Sequence, residues 1–332
     1  EVITVGANTT LNIQSGVVLT HVYKLVVESG ATLSIASGAQ LKFKSATDVE
    51  DEGPPKGSIS VLGRIYADGA TFTSDTSASN FYWAGIYVVN SNPSGSNCVK
   101  NCKISHCKFG LTLYNSHFEG AGNGIFLDSI SNCLNPIRLT GGSHVDAIGG
   151  NHLLDNIEDG IVIYESYAGR IYDNEIIEHS TSHGGRDGLW IHGSAQPMVL
   201  NNQIRKTTQD GIRCENYAYP YLGGWDEYGS PIHGYNYIHD NARYGVSIFT
   251  GSGAYLGEYF GDDWIYGGYN TICSNGTYQL YGSGALAQSN WWGVDPDLEC
   301  YDFTSDTKQY LFGDPYYQVV APAFRYSSCE ER

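Results

Sequence analysis

The sequence predicts an all-β protein wound as one solenoid of very short strands. Three observations predict it. A motif of Asn-x-Ile, a short polar turn, Gly and then aliphatic-x-aliphatic recurs through the middle of the chain. The first 75 residues alternate apolar and polar side chains between Ser-Gly or Asp-Gly corners. Neither pattern requires a helix of ordinary length.

The N-terminal stretches "TLNIQSGVVLT", "KLVVESGATLSIASGAQLKFKS" and "GSISVLGRIYADGATFTS" read as early coils, with "EDEGPPKG" a polar loop between them. The repeat proper starts at Asn101, Asn151, Asn174, Asn202, Asn236 and Asn270, and the last five starts are 23, 28, 34 and 34 residues apart. The shortest interval is near one solenoid coil, and the longer ones imply inserted loops. Alternation along each strand points Ile161, Ile163, Leu189, Ile191, Ile212, Cys214, Val246 and Ile248 inward. The glycine before each strand permits a tight or left-handed corner. The leading asparagines suit turns, and their amides can stack into ladders. Past Gly293 the repeat fades. The expected organisation is a solenoid over 1–293, with 1–75 as its first coils, and a capping segment over 294–332.

Composition narrows the function classes. Against 18 Lys and Arg stand 35 Asp and Glu, a net charge of −17, while Tyr reaches 26 and Met appears once. Such a surface repels nucleic acid and anionic lipid, and neutral glycans escape the penalty. No apolar run is long enough to span a membrane. A start at Glu1 rather than Met fits a processed protein that is secreted or at the cell surface. The eight cysteines fit disulfides there. A Cys300–Cys329 clasp and some pairing among Cys98, Cys102, Cys107 and Cys133 are expected. Zinc on Cys98, Cys102 and Cys107 is a weaker reading of that spacing. Asn8 and Asn275 begin glycosylation sequons.

The chain resembles the right-handed parallel β-helix proteins of the pectate-lyase-like group. The resemblance is carried by the "Asn-x-Ile…Gly-Ile-x-Ile" repeats from Asn101 to Gly293 and by "SNWWG" at 289–293. It implies a right-handed parallel β-helix. The group spans lyases, hydrolases, epimerases, esterases, tailspikes and adhesins, so it implies no single activity. A polygalacturonase-like series of Asn-Thr-Asp, Asp-Asp, Gly-His-Gly and Arg-Ile-Lys is missing, and "QIRK" at 203–206 only partly echoes its last member. No catalytic role is therefore carried over.

Registering the strands lines up two outward files. One holds Val162, Trp190, Arg213 and Ser247, the other Tyr164, His192, Glu215 and Phe249. At ordinary interstrand spacing, Trp190, His192, Arg213 and Glu215 form one patch. Two aromatic-rich segments follow these strands. Residues 217–228 hold Tyr217, Tyr219, Tyr221 and Trp225 with Asp226 and Glu227, and residues 249–269 hold Tyr259 and Trp264 with Glu258, Asp262 and Asp263. They are expected to wall a cleft in which flat rings meet sugar rings. Asp159, Asp187 and Asp210 each precede a corner glycine and are read first as corner formers.

The favoured activity is hydrolysis of a neutral or weakly charged polysaccharide by paired carboxylates. Glu215 is one candidate, with Asp226, Glu227, Glu258, Asp262 or Asp263 as the other, His192 as proton carrier and Arg213 as a substrate contact. Trp190 and the Tyr and Trp residues of the two segments would bind the glycan. Lyase or epimerase chemistry is the second reading and a noncatalytic glycan-binding or adhesion module the third. No cofactor is expected beyond calcium at "FGDDW", whose adjacent acids offer hard oxygens. A monomer is expected rather than a trimer.

Overall fold

The structure, a computed structural model, describes residues 2–44, 57–76, 83–91, 97–118, 124–177, 186–225, 230–249, 251–260, 264–266, 268–282, 285–287, 290 and 311–312. Short strands follow one another round three faces. The first face is a sheet of twelve strands, from Val2–Val5 through Ile161–Tyr164, Leu189–His192 and Ile212–Glu215 to Leu311–Phe312. The second runs from Thr10–Ile13 to Met198–Leu200, and the third from Val18–Val22 to Thr271–Cys273. Strands stacked in these sheets pair in parallel, with Leu189 opposite Ile212 and Trp190 opposite Arg213. This is the β-helix that the repeat predicts. Leu311–Phe312 extends the first sheet beside Leu280 and Tyr281. Otherwise the 294–332 segment and the Cys300–Cys329 clasp lie outside the described residues.

Strands of four residues have too little apolar surface to fold alone, so the core forms only between coils. All eight residues predicted to face inward are buried. Where the early coils meet the later ones, Trp83 is fully buried, its ring 4.4 Å from Phe43 and its indole N–H donating to the Ser105 carbonyl at 2.9 Å.

The corners rest on backbone strain coupled to buried polar groups. Between the second and third sheets, Asn101, Leu127, Gly150, Asp173, Asn201, Tyr235 and Tyr269 all take positive φ. Asn151, Asn174, Asn202, Asn236 and Asn270 come immediately after this turn position and point inward. In this file each Oδ1 from Asn174 through Asn290 accepts the backbone N–H and side-chain amide of its counterpart one coil earlier, at 2.7–3.1 Å. The amides therefore ladder as expected, with one shift of frame. Lys103 pairs with Ser129 and Ser129 with His152, so Cys102 and Asp128 precede Asn151 in the file. Asn101 sits one residue early, at the left-handed position.

Two further expectations are narrowed. The corner glycines Gly188 and Gly211 are not left-handed. A Cβ on Gly188 would lie 2.8 Å from the Gly211 carbonyl oxygen, and one on Gly211 2.6 Å from that of Gly245, so glycine is required by the close approach of coils. The sequon residue Asn275 is only 8 % exposed, and its Nδ2 donates to the Ile238 carbonyl and to Gln279. It cannot accept a glycan while the coil is folded.

At the corner between the third and first sheets, Cys107 and Cys133 form a disulfide across adjacent coils. Cys98 and Cys102 are free and buried, which leaves no zinc set at 98, 102 and 107. The segment from Tyr217 is not wholly an inserted loop either. Tyr221 bridges Met198 and Tyr255 in parallel, so the second sheet continues through it. The true insertions are two hairpins after that sheet, Gly223–Trp225 with Pro231–His233 and Ala254–Phe260 with Trp264–Tyr266. They pack beside each other, one face round from the first sheet.

Candidate functional site

Parallel register builds the predicted patch on the outer face of the first sheet. Val162 lies opposite Trp190 and Tyr164 opposite His192; on the next coil Arg213 and Glu215 follow in the same two files. The Tyr164 and His192 rings stack at 4.3 Å and 8°, and both meet Trp190 edge-on, at 6.1 and 5.8 Å. These three half-buried rings form a step on the outer face of the sheet. The Trp190 indole N–H donates to Glu215 at 3.1 Å, and Arg213 donates to the other oxygen of Glu215 at 2.5 Å. Phe249 lies under the Arg213 guanidinium, 5.0 Å from it.

Arg213 also reaches Asp187 at 3.5 Å. Asp159, Asp187 and Asp210 stack at the start of the first sheet, where Asp159 Oδ1 accepts from the Asp187 N–H and Asp187 Oδ1 from the Asp210 N–H, each at 3.0 Å. They are corner residues, as their spacing suggests. Asp187 is 1 % exposed, and burial together with the charges of Asp210 and Asp159 pushes its carboxyl up to about 7. Burial likewise raises Asp159. Asp210 is held differently: Arg243 donates to both its oxygens at 2.6 and 2.7 Å, and the Ser247 hydroxyl donates at 2.5 Å.

Of the predicted site residues, Trp190, His192, Arg213 and Glu215 come together. Tyr217, at 69 % exposed, follows directly on the end of that strand. Tyr219 and Tyr221 do not join them, because their backbones bond to Ala195 and Pro197 in the continuation of the second sheet. Trp225, Glu258, Tyr259 and Trp264 lie on the two hairpins, away from the first sheet. Asp226, Glu227, Asp262 and Asp263, with the calcium reading of the last two, lie outside the described residues. The expected cleft wall over Trp190 is therefore not formed by the hairpin strands. Sequence reading missed Arg243, Tyr244 and Tyr281. The Tyr244 and Tyr281 rings stack at 4.5 Å and 4°, continuing the aromatic face for another coil. The alternation of "RYGVSI" with "YQLYG" carried that signal.

Fold and outer-face patch together define a right-handed parallel β-helix repeat protein, and a profile described as "right handed beta helix region" matches residues 137–281. The profile of the family described as "periplasmic copper-binding protein (NosD)" matches residues 20–204, more than half of the chain, and the chain belongs to that family. No curated protein matches it. Among solved structures, it is similar to the periplasmic alginate epimerase AlgG at 10 % identity and TM-score 0.41, covering 87 % of this chain and 78 % of that one. It is also similar to DFA-IIIase from Arthrobacter chlorophenolicus A6 in complex with GF2, at 13 % identity and TM-score 0.31, covering 95 % and 88 %. Likenesses this distant carry no argument about chemistry.

The family description implies copper, and the donor set does not fit it. Among the described residues no three His, Cys, Asp or Glu side chains are grouped to hold a metal ion. Cys107 and Cys133 are bonded to each other. Burial pushes the Cys98 thiol up to about 11 and that of Cys102 up to about 12, away from the thiolate that a metal requires.

Proposed function

We propose that the protein binds a polysaccharide along the outer face of the first sheet. One observation carries this reading: the step of Tyr164, Trp190 and His192, beside a Glu215 carboxylate fixed by Trp190 and Arg213. A sugar ring offers an apolar C–H face to the step and hydroxyls to Glu215 and Arg213. Aromatic platforms of this kind lose little side-chain entropy on binding. The disulfide and the family description favour a site of action outside the cytoplasm.

Hydrolysis is the second reading, favoured by two unlike carboxylates on one guanidinium. Asp187 is pushed up to about 7 and suits a proton donor, whereas Glu215 reaches solvent. Asp187 lies behind Arg213, so this chemistry requires Arg213 to move aside.

The test is a panel of neutral and acidic polysaccharides, measured by affinity electrophoresis and by reducing-end release. Trp190→Ala is expected to weaken binding at least tenfold, about 1.4 kcal/mol. New reducing ends that vanish in Glu215→Gln would establish hydrolysis, and unsaturated products would point to a lyase. Binding unchanged in Trp190→Ala would remove the proposal.

A further inference from the structure

The same face carries a second cluster, two to four coils before Trp190. Tyr87, Thr112 and Arg138 stand opposite one another on successive strands, and Val162 and Trp190 continue their file. The Arg138 guanidinium lies 5.4 Å from the centre of the Phe109 ring, and the Lys108 ammonium 5.3 Å from the same ring. One ring thus gathers two cations. Arg213 and Arg243 each hold a buried or half-buried carboxylate. Among the described residues, by contrast, Arg138 and Lys108 have no carboxylate partner. Beneath them the Thr112 side chain is 6 % exposed, and its hydroxyl has no hydrogen-bond partner. Tyr87 meets Phe109 edge-on at 6.2 Å, and burial drives its phenol well above the usual range, which keeps it a neutral donor.

Two cations, an unmet hydroxyl and flat rings are the complement of a ring that bears an anion. A guanidinium matches a planar carboxylate through two parallel hydrogen bonds, and an ammonium adds a point charge. We propose that Arg138, Lys108, Thr112, Tyr87 and Phe109 bind the carboxylate of an acidic sugar residue. The nearest member of the cluster, Arg138, lies about 10 Å from Trp190 along the axis, two coil rises, and the others lie one or two coils further. The cluster therefore deepens the reading of a glycan lying on the first sheet, and rests on that reading only for the glycan's second foothold. The net charge of −17 opposes a continuous polyanion, so the matching ligand is a largely neutral glycan bearing isolated acidic residues.

Isothermal titration with methyl β-glucuronide, against methyl β-glucoside and inorganic sulfate, tests the site. The glucuronide is expected to bind more tightly than the glucoside, and added salt should weaken it. Its Kd should rise at least tenfold in Arg138→Ala, less in Arg138→Lys and Lys108→Ala, and stay unchanged in Lys103→Ala, a cation on the third sheet. Glucuronide binding that persists while neutral glycans fail at Trp190 supports this site and removes the polysaccharide reading above. Equal affinity for glucuronide and glucoside, an unchanged Kd in Arg138→Ala, or sulfate binding as tightly as glucuronide would overturn the proposal.

Discussion

Two files of buried polar side chains climb the same solenoid and meet the cost of burial in opposite ways. The amides between the second and third sheets donate and accept in turn, so each residue satisfies its neighbour and the file closes on itself. The carboxylates at the start of the first sheet stack one coil apart too, but a carboxylate only accepts. Their second oxygens need a cation, a hydroxyl or a proton. Asp210 has Arg243 and Ser247; Asp187 has Arg213 at 3.5 Å and a raised carboxyl. Asp128 brings the contrast inside the amide file. Its Oδ1 accepts from the Cys102 N–H at 2.7 Å, while Oδ2 is buried without a partner. On the next coil the corresponding Nδ2 of Asn151 donates to the Ile125 carbonyl. Stacking geometry accepts either side chain; hydrogen-bond chemistry does not.

The comparison breaks most sharply at Asn202. Asn202→Ala removes donors to Ile171, Leu200 and Asn236 and the acceptor for Asn174, and is expected to cost about 3–5 kcal/mol in urea denaturation. A loss below about 1 kcal/mol would mean the amides do not couple the coils. Arg243→Met comes next. It leaves Asp210 charged and unpaired in the interior, a loss of about 3 kcal/mol near pH 8. Arg243→Lys, which keeps the charge but not the two-point contact, should lose less; an equal loss in both variants would contradict the account.

Asp128→Asn is the smallest change and has the opposite sign. Burial pushes Asp128 from 3.8 up to about 8, so between those values the folded chain binds more protons than the unfolded one. Stability from this group is greatest below about pH 4, declines as pH rises, and is fully lost above about pH 8. The asparagine variant should gain about 1–3 kcal/mol at pH 9 and flatten part of the wild-type decline. Thermal melts of both proteins from pH 5 to 9 measure the difference.

The period of two was legible because strands as short as Leu189–His192 bury alternate residues completely. The register of Trp190 on Arg213 and His192 on Glu215 followed from the spacing of the repeats, and so did the outer patch. What the letters obscured was the turn. Asparagine serves both as the left-handed residue, at Asn101 and Asn201, and as the inward rung, at Asn151 and Asn202, so an alignment by asparagine slips by one. Tyr219 and Tyr221 were misplaced because an aromatic strand of a continuing sheet has the same composition as a binding loop. The carboxylate file showed in sequence only as recurring Asp-Gly, and Arg243, 33 residues from its partner Asp210, left no local sign.

Among the described residues, one rung differs from all others in being covalent. Cys107 and Cys133 occupy the corner position that Asn156, Asn241 and Asn275 fill on later coils, and they close an interval of 26 residues, about one turn of the winding. A molecule whose turns grip only their neighbours can unwind from either end like thread from a bobbin. This rung is a knot in the thread. Peeling that starts at the far end must halt there until a reductant cuts it, so the early turns and the Lys108–Arg138 cluster that straddles the bond would stay wound when the later ones have been lost.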